Sequence, residues 1–436
     1  MSSQRGLFLR NTGWMMLSRV SRLLLAFLAS MLTARYLGKG DFGELNYLFS
    51  FVTLFGALGT LGIGDVLVRD LEADASPEAE GEILGTALVL RWLGTGAMAV
   101  LALGVALAMG DGWLTVGLML SVCVFQLLSN EASTLERFFE ARVQAKWSSL
   151  AQLLAVVCST ALTVGLIAMH ASLPAFVAVK VVEAGVLFAA LVVWHRRLGK
   201  ARQLRYSRAC AGKLLRAGLP LMLTSIFLLI YMRIDQVMIR HYLDDGAVGC
   251  YAVAVRLSEA WYFVPSVVAA SLFPAILRAR REDADRYRRR LQALYELMTW
   301  LGIAVAVPVT LCSGWIVRLL FGEEYAPAGP VLALYVWAGV FVFQGIVRGK
   351  WIVAENLQRY ALVFTALATA VNVILNAVLI PRVGLTGAAW ATVISCVCQS
   401  ILAPALFKPI RPSAWAIARS FVPLHLWREA RAFRRH

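Results

Sequence analysis

Charged residues occur where this 436-residue chain is otherwise apolar. Arg19, Arg22, Arg91, Lys180, Arg233, Arg256 and Arg318 all sit inside long greasy runs. So do the carboxylates Asp65, Glu183, Asp235 and Glu259, with Glu296 near the end of another run. A charge at the centre of a bilayer helix costs roughly 2.5–3.5 kcal/mol by insertion scales, so such residues mark function or pairing. Cations prevail, which suits an anionic ligand, and the arginine fork matches phosphate oxygens in pairs. Arg19, Arg22, Arg91, Lys180, Arg233 and Arg256 are the candidate phosphate-handling cations. Arg318 lies close enough to a helix end to snorkel to the interface. Glu183, Asp235 and Glu259 are candidates for holding a coupling H⁺ or Na⁺.

Spacing sorts these charges further. Lys180 and Glu183 are three apart, as are Arg256 and Glu259, and on a helix that spacing permits contact. Arg19 and Arg22 share a face, with Arg22 roughly 17 Å into its apolar run at helical rise. Arg233 and Asp235 are two apart, so they point different ways and each needs a partner elsewhere. Asn372 and Asn376 share a face suited to hydrogen bonds between helices, with contact to sugar hydroxyls as the alternative. Trp261 and Tyr262 suit either packing or stacking on a sugar.

Other chemistry has no residues to perform it. There is no GxxxxGK[ST] loop for ATP, no HExxH, and no Cys/His metal spacing. The seven cysteines are scattered and suggest neither a zinc site nor a disulfide framework. No connection on the side away from the basic loops is long enough for a catalytic domain. The expectation is a protein that is not an enzyme, with no metal and no cofactor beyond a coupling ion.

The elements that carry these residues are membrane spans. The composition is 60% hydrophobic and 16% charged, and the apolar residues come in blocks about as long as a bilayer helix needs. Twelve spans are predicted, at 11–34, 42–68, 83–109, 113–131, 148–169, 173–194, 214–239, 248–274, 291–320, 331–353, 360–380 and 385–408. The run after Arg5 and Arg10 is too long and too charged for a cleaved signal peptide and reads as the first span. Period-2 alternation is weak, which argues against a β-barrel.

The net charge of +16 sits in loops on one side. Segment 195–216 holds eight Lys and Arg, segment 278–290 holds seven, and the stretch from Lys408 holds seven. The opposite loops hold only Arg35, Lys39, Arg240 and Arg382. This positive-inside pattern predicts both termini in the cytoplasm, with the basic loops beside anionic lipid and no role in nucleic-acid binding. The tail 415–435 mixes apolar and basic residues, so it is expected to lie amphipathically on the inner surface or to dock a partner.

The chain also repeats itself. YLGKGDFG (36–43) follows the first span and YLDDGAVG (242–249) follows the seventh, at an offset of 206 residues. Six spans return the chain to its starting side, so the halves are expected to be parallel repeats. The predicted organisation is an N-lobe (1–200), a basic linker (201–213), a C-lobe (214–408) and a basic cytoplasmic tail (409–436).

Several stretches resemble the polysaccharide and O-antigen lipid-carrier flippases, within the superfamily that also holds multidrug and toxin extruders and lipid II flippases. They are ARYLGKGDFGELNY (34–47), GTLGIGDVLVRD (59–70), RIDQVMIRHYLDDGAVGCYAVAVRLSE (233–259), FVPSVVAASLFPAI (263–276), FGEEYAPAG (321–329) and NVILNAVLIPRVGLTGAAWAT (372–392). The ordered set covers about residues 7–408; it is fairly specific for the family but not for the substrate. The resemblance implies an all-α bilobed bundle around a central cavity, here with twelve helices. It implies a bacterial inner-membrane transporter that moves an undecaprenyl-pyrophosphate oligosaccharide outward for lipopolysaccharide or other surface polysaccharide. Membrane lipids and polysaccharide polymerase or assembly proteins would be its partners. An organic-cation exporter is the rival within transport, although it predicts acidic rather than basic spans. A non-transporting scaffold for polysaccharide enzymes is the rival of another class.

Overall fold

The computed structural model describes residues 2–422 apart from 75, 143 and 198–203; it leaves aside the side chains of 2–19, 145, 281 and 282. Arg19 therefore keeps its backbone place, but its side chain lies outside the described residues. So do residues 201–203 of the predicted linker and 423–436 of the predicted tail.

Every regular element among the described residues is helical. Among the described residues, eleven helical segments are long and apolar enough to cross a membrane. The first, within α1 (Ser2–Leu54), turns at Gly38, whose φ of 73° lies in the left-handed region that glycine tolerates. It therefore carries two of the predicted spans, and the total is twelve. In the second copy of the turn, an aspartate replaces that glycine. Asp244 leaves α8 (Arg208–Tyr242) in extended backbone and caps α9 (Asp245–Glu259), its Oδ1 accepting from the Ala247 amide at 2.7 Å. The repeat persists beyond the turn. α1 is interrupted at Phe55, and the helix after Asp244 is interrupted at Ala260–Tyr262, again about 206 residues on.

Four predicted spans are not single rods. Span 42–68 ends its straight course at Leu61 and Gly62, both at positive φ, between α2 (Gly56–Thr60) and α3 (Gly64–Ala73). Span 248–274 divides into α9 and α10 (Phe263–Glu282), and span 331–353 into α12 (Ala328–Tyr335) and α13 (Ala338–Ala354). Span 385–408 runs from α15 (Leu385–Val397) through a π turn at Cys398–Leu402 into the short α16 (Ala403–Ala405). Apolar composition continues through each break, so hydropathy does not register them.

The contacts divide the chain into two compact units, Met1–Leu229 and Ile230–His436. The division falls inside α8, not at the basic linker. In the first unit, α3, α4 (Pro77–Ala108), α5 (Trp113–Ala141) and α7 (Leu173–His195) bury a core of Leu67, Leu84, Phe138, Phe139 and Leu191, joined by Leu214 of α8. The described part of the linker is tied down. Arg205 donates its amide to Gly81 at 3.1 Å, Ser207 donates to Thr86 at 3.0 Å, and Gly85 leaves room for the Arg205 backbone. The first half of α8 is also held tightly. A Cβ at Gly218 would stand 2.6 Å from the Leu61 carbonyl, and one at Gly62 would stand 2.4 Å from the Gly218 carbonyl. Pro220 follows at once, and its missing N–H leaves the Arg216 carbonyl without its helical donor.

In the second unit, Phe273, Tyr295, Met298, Phe343, Trp351 and Phe364 form the core between α10, α11 (Ala284–Phe321), α13 and α14 (Gln358–Val383). The start of the predicted tail joins it. α17 (Arg411–Arg419) buries Ser413, Ala414 and Ile417, and Gln292 of α11 donates to the Ala416 carbonyl at 3.1 Å. Ser420 meets Thr299 at 2.6 Å, and Gln344 donates to both hydroxyls. Ser413, Ala414 and Ile417 give α17 one docked face, while Arg411 and Trp415 on the other side stay exposed.

Candidate functional site

Asp235 is the best-built polar centre of the second unit. It is 4% exposed, and α9, α14 and α15 each send it one donor. Tyr251 donates its hydroxyl to Oδ2 at 2.7 Å, Thr392 donates to the same oxygen at 2.9 Å, and Asn376 donates its amide to Oδ1 at 2.6 Å. Asn372 backs Asn376, accepting at 3.1 Å and donating on to Ser395 at 3.3 Å. The shared face of Asn372 and Asn376 thus serves hydrogen bonding between helices. All the donors are neutral, so the carboxylate is solvated by dipoles and not by a paired cation. Among the described residues the Asn376 carbonyl oxygen has no hydrogen-bond partner, which leaves one spare acceptor beside the carboxylate. One carboxylate with amide and hydroxyl neighbours suits a proton or a monovalent cation. Among the described residues no group of three His, Cys, Asp or Glu could hold a metal ion.

Arg233, two residues earlier on α8, goes elsewhere, as the spacing predicts. Its charge and that of Arg256 both act on Glu259. This half-buried trio has two cations to one carboxylate, so it keeps a net positive charge. Tyr262 packs edge-on against Phe343, with ring centres 6.4 Å apart, while Trp261 is 42% exposed.

The candidates in the first unit separate. Arg22 donates to Gln152 of α6 (Ala145–Ala168), which in turn donates to Glu136 of α5. Lys180 and Glu183 pair at 2.8 Å, as their spacing allows. Arg91 is enclosed, at 2% exposure, and donates to the Asn130 carbonyl. That burial fits a role within the unit better than one facing a ligand. Arg318 reaches Glu323 at 3.2 Å on an exposed helix end.

Three charged residues escaped the sequence reading. Glu131 and Glu136 lie where span 113–131 was expected to finish, yet α5 runs to Ala141 because Leu135, Phe138 and Phe139 continue its buried stripe. Leucine and phenylalanine at that helical spacing were the available signal. Arg348, within span 331–353, is 4% exposed. It donates to the Gln399 and Ser400 carbonyls at 2.8 and 3.0 Å, and its guanidinium lies 4.7 Å from the Phe364 ring centre. Those carbonyls belong to the π turn, where the regular helical pairing is interrupted.

Twelve spans among the described residues, with charges built into them, define a polytopic membrane protein. The chain belongs to the polysaccharide biosynthesis protein family, whose model matches residues 8–280, and a MatE model matches residues 220–378. Two curated relatives come from Haloferax volcanii. The probable flippase AglR is 30% identical over 201 residues, and the probable low-salt glycan biosynthesis flippase Agl15 is 23% identical over 176. The matches cover 44% and 39% of this chain but only 42% and 37% of those relatives. The fold is similar to that of the lipid II flippase MurJ in an inward closed conformation. The TM-score is 0.72 at 15% identity, over 94% of this chain and 91% of that one. It is also similar to an inward-facing multidrug resistance MATE family transporter, with a TM-score of 0.67 at 15% identity over 92% and 95%. These relatives and neighbours carry transporter names, not enzyme names.

Proposed function

We propose that the protein is a secondary transporter that flips a lipid-linked glycan between membrane leaflets. The cargo we propose is an undecaprenyl-pyrophosphate oligosaccharide, moved outward across a bacterial inner membrane for surface polysaccharide assembly. The family and the flippase relatives support the lipid-linked glycan. The basic excess within spans supports the pyrophosphate, and here Arg22, Arg233 and Arg256 are the working cations. An organic-cation exporter would be served poorly by the net positive trio at Glu259.

Asp235 carries the coupling part of this reading. It is a buried carboxylate whose donors are all neutral, with a spare acceptor at Asn376, and it is therefore suited to taking up H⁺ or Na⁺. The cost of keeping such a group in a membrane helix argues for use. The test is genetic and chemical. In cells deleted for the gene, glycan-loaded polyprenyl pyrophosphate is expected to accumulate out of reach of outer-leaflet probes. The wild-type gene should relieve this, and Arg22→Ala and Asp235→Asn should not. Normal surface polysaccharide without accumulation would overturn the reading.

A further inference from the structure

The first unit contains a second buried carboxylate, built in the opposite way to Asp235. Glu131 is 1% exposed, and neither carboxylate oxygen has a hydrogen-bond partner among the described residues. Arg91 is its charged neighbour, yet Arg91 spends Nη1 on the Asn130 carbonyl and leaves Nε buried without a partner. Asn130 is itself occupied, donating to Thr95 at 3.0 Å and accepting from Gln126 at 3.4 Å.

The other charged groups near α5 are committed elsewhere. On α5, Arg137 pairs with Glu140 at 2.9 Å and lies 3.8 Å from Asp65 of α3, while Glu136 takes its bond from Gln152. On α7, Lys180 holds Glu183, and His195 sits edge-on to Phe138 at 4.9 Å. On α1, Arg22 serves Gln152 and Glu44 accepts from Thr115. On α4, Glu80 holds Arg142 at 2.7 Å, and on α6 Lys146 lies over the Trp147 ring. Among the described residues, Arg91 is the one charge acting on Glu131.

A buried carboxylate is ordinarily held ionised by several donors, and Asp235 has three. Glu131 has none, so its ionised form keeps only the field of a neighbouring guanidinium. Its protonated form removes the desolvation cost of the anion but leaves the Arg91 charge uncompensated. With no donor to either oxygen of the buried anion, the protonated form prevails, and a small local rearrangement that turned a donor toward it would reverse the balance. A metal cation is the wrong ligand here, because the site offers a single carboxylate beside a fixed positive charge. A proton is the right one.

We propose that Glu131 is a proton-binding site of the first unit, with Arg91 as its fixed counter-charge, and that it holds a proton at neutral pH in the conformation described. It is distinct from Asp235 and requires no particular cargo, so it can fail without the flippase reading failing.

Infrared spectroscopy of the purified full chain in lipid, without cargo, tests this. A protonated carboxylic acid shows a carbonyl stretch that is separate from ionised carboxylate and shifts in D₂O. At neutral pH that band is expected in wild type, lost in Glu131→Gln, displaced in Glu131→Asp and retained in Asp235→Asn. A band that persists unchanged in folded Glu131→Gln, that is lost only in Asp235→Asn, or that is missing from wild type would overturn the proposal. If Glu131→Gln does not fold, Glu131→Asp decides: displacement supports the site and an unmoved band refutes it.

Discussion

Tyr251 on α9 donates its hydroxyl to Asp235 on α8 at 2.7 Å, with both side chains buried. The bond joins two helices that are consecutive in sequence and fixes the carboxylate within the second unit. Removing a donor to a charged acceptor costs roughly 1.5–3 kcal/mol. Tyr251→Phe is expected to lower the unfolding midpoint of the purified protein by that equivalent.

Ion binding at Asp235 predicts linkage. A ligand that binds only the folded state raises its apparent stability. Thermal unfolding of wild type should therefore respond to added Na⁺ or to pH, and Asp235→Asn should flatten whichever response is found. Equal responses in the two proteins would remove Asp235 from the coupling role.

Gly218 predicts a steric penalty. A methyl group there meets the Leu61 carbonyl at 2.6 Å and the Ile63 side chain at 2.8 Å. Gly218→Ala is expected to destabilise by about 1–3 kcal/mol, the usual cost of overpacking. Gly117→Ala is the control. It has nothing within 4 Å of the new methyl and should gain up to about 1 kcal/mol from helix propensity. Chemical denaturation of both in one detergent compares them directly.

Arg348 holds two carbonyls of the π turn. Arg348→Met keeps most of the stem but strands those acceptors, so a loss of roughly 1–3 kcal/mol for each acceptor left unsatisfied is expected. Hydrogen exchange should rise locally across 398–402 before the rest of the second unit opens. Unchanged protection there would mean that the turn holds without the guanidinium.

Asp283 gives a pH prediction outside the spans. It caps α11, and the backbone amides of Asp285 and Arg286 hold its carboxyl below the usual aspartate value of 3.8. Its folded value is depressed, so its stabilisation is present above about pH 3.8 and is lost as pH falls through the lower folded value. Amide exchange of residues 284–287, corrected for intrinsic rate, should accelerate in that acid range. Asp283→Ala should show fast exchange at every pH.

Much of this architecture was legible in residue patterning. Blocks of apolar residues mark membrane helices because a bilayer imposes a length. The paired YL turns mark the repeat because both copies must reverse the chain within a few residues, although Gly38 does so through positive φ and Asp244 through a cap. The divergence of Arg233 and Asp235 follows from helical angle alone. The breaks at Leu61, Ala260 and Val336 were not legible, since an apolar residue in a turn has the same hydropathy as one in a helix. Glu131 closes the predicted span 113–131 and Glu136 lies beyond it, where hydropathy falls while the helix goes on to Ala141. Arg348 is legible as a charge within span 331–353, but its partners are backbone carbonyls, which leave no trace in side-chain sequence.

Where Gly218 lies against Leu61 and Gly62, two stretches of main chain touch with no side chain between them. Side chains yield by changing rotamer, and this contact has none to change. α8 cannot creep past the break one residue at a time, because Ala217 or Leu219 would arrive where the glycine now lies. Sliding of α8 at this point therefore requires the two main chains to separate first, and Pro220 places a turn lacking one helical hydrogen bond immediately beside the contact.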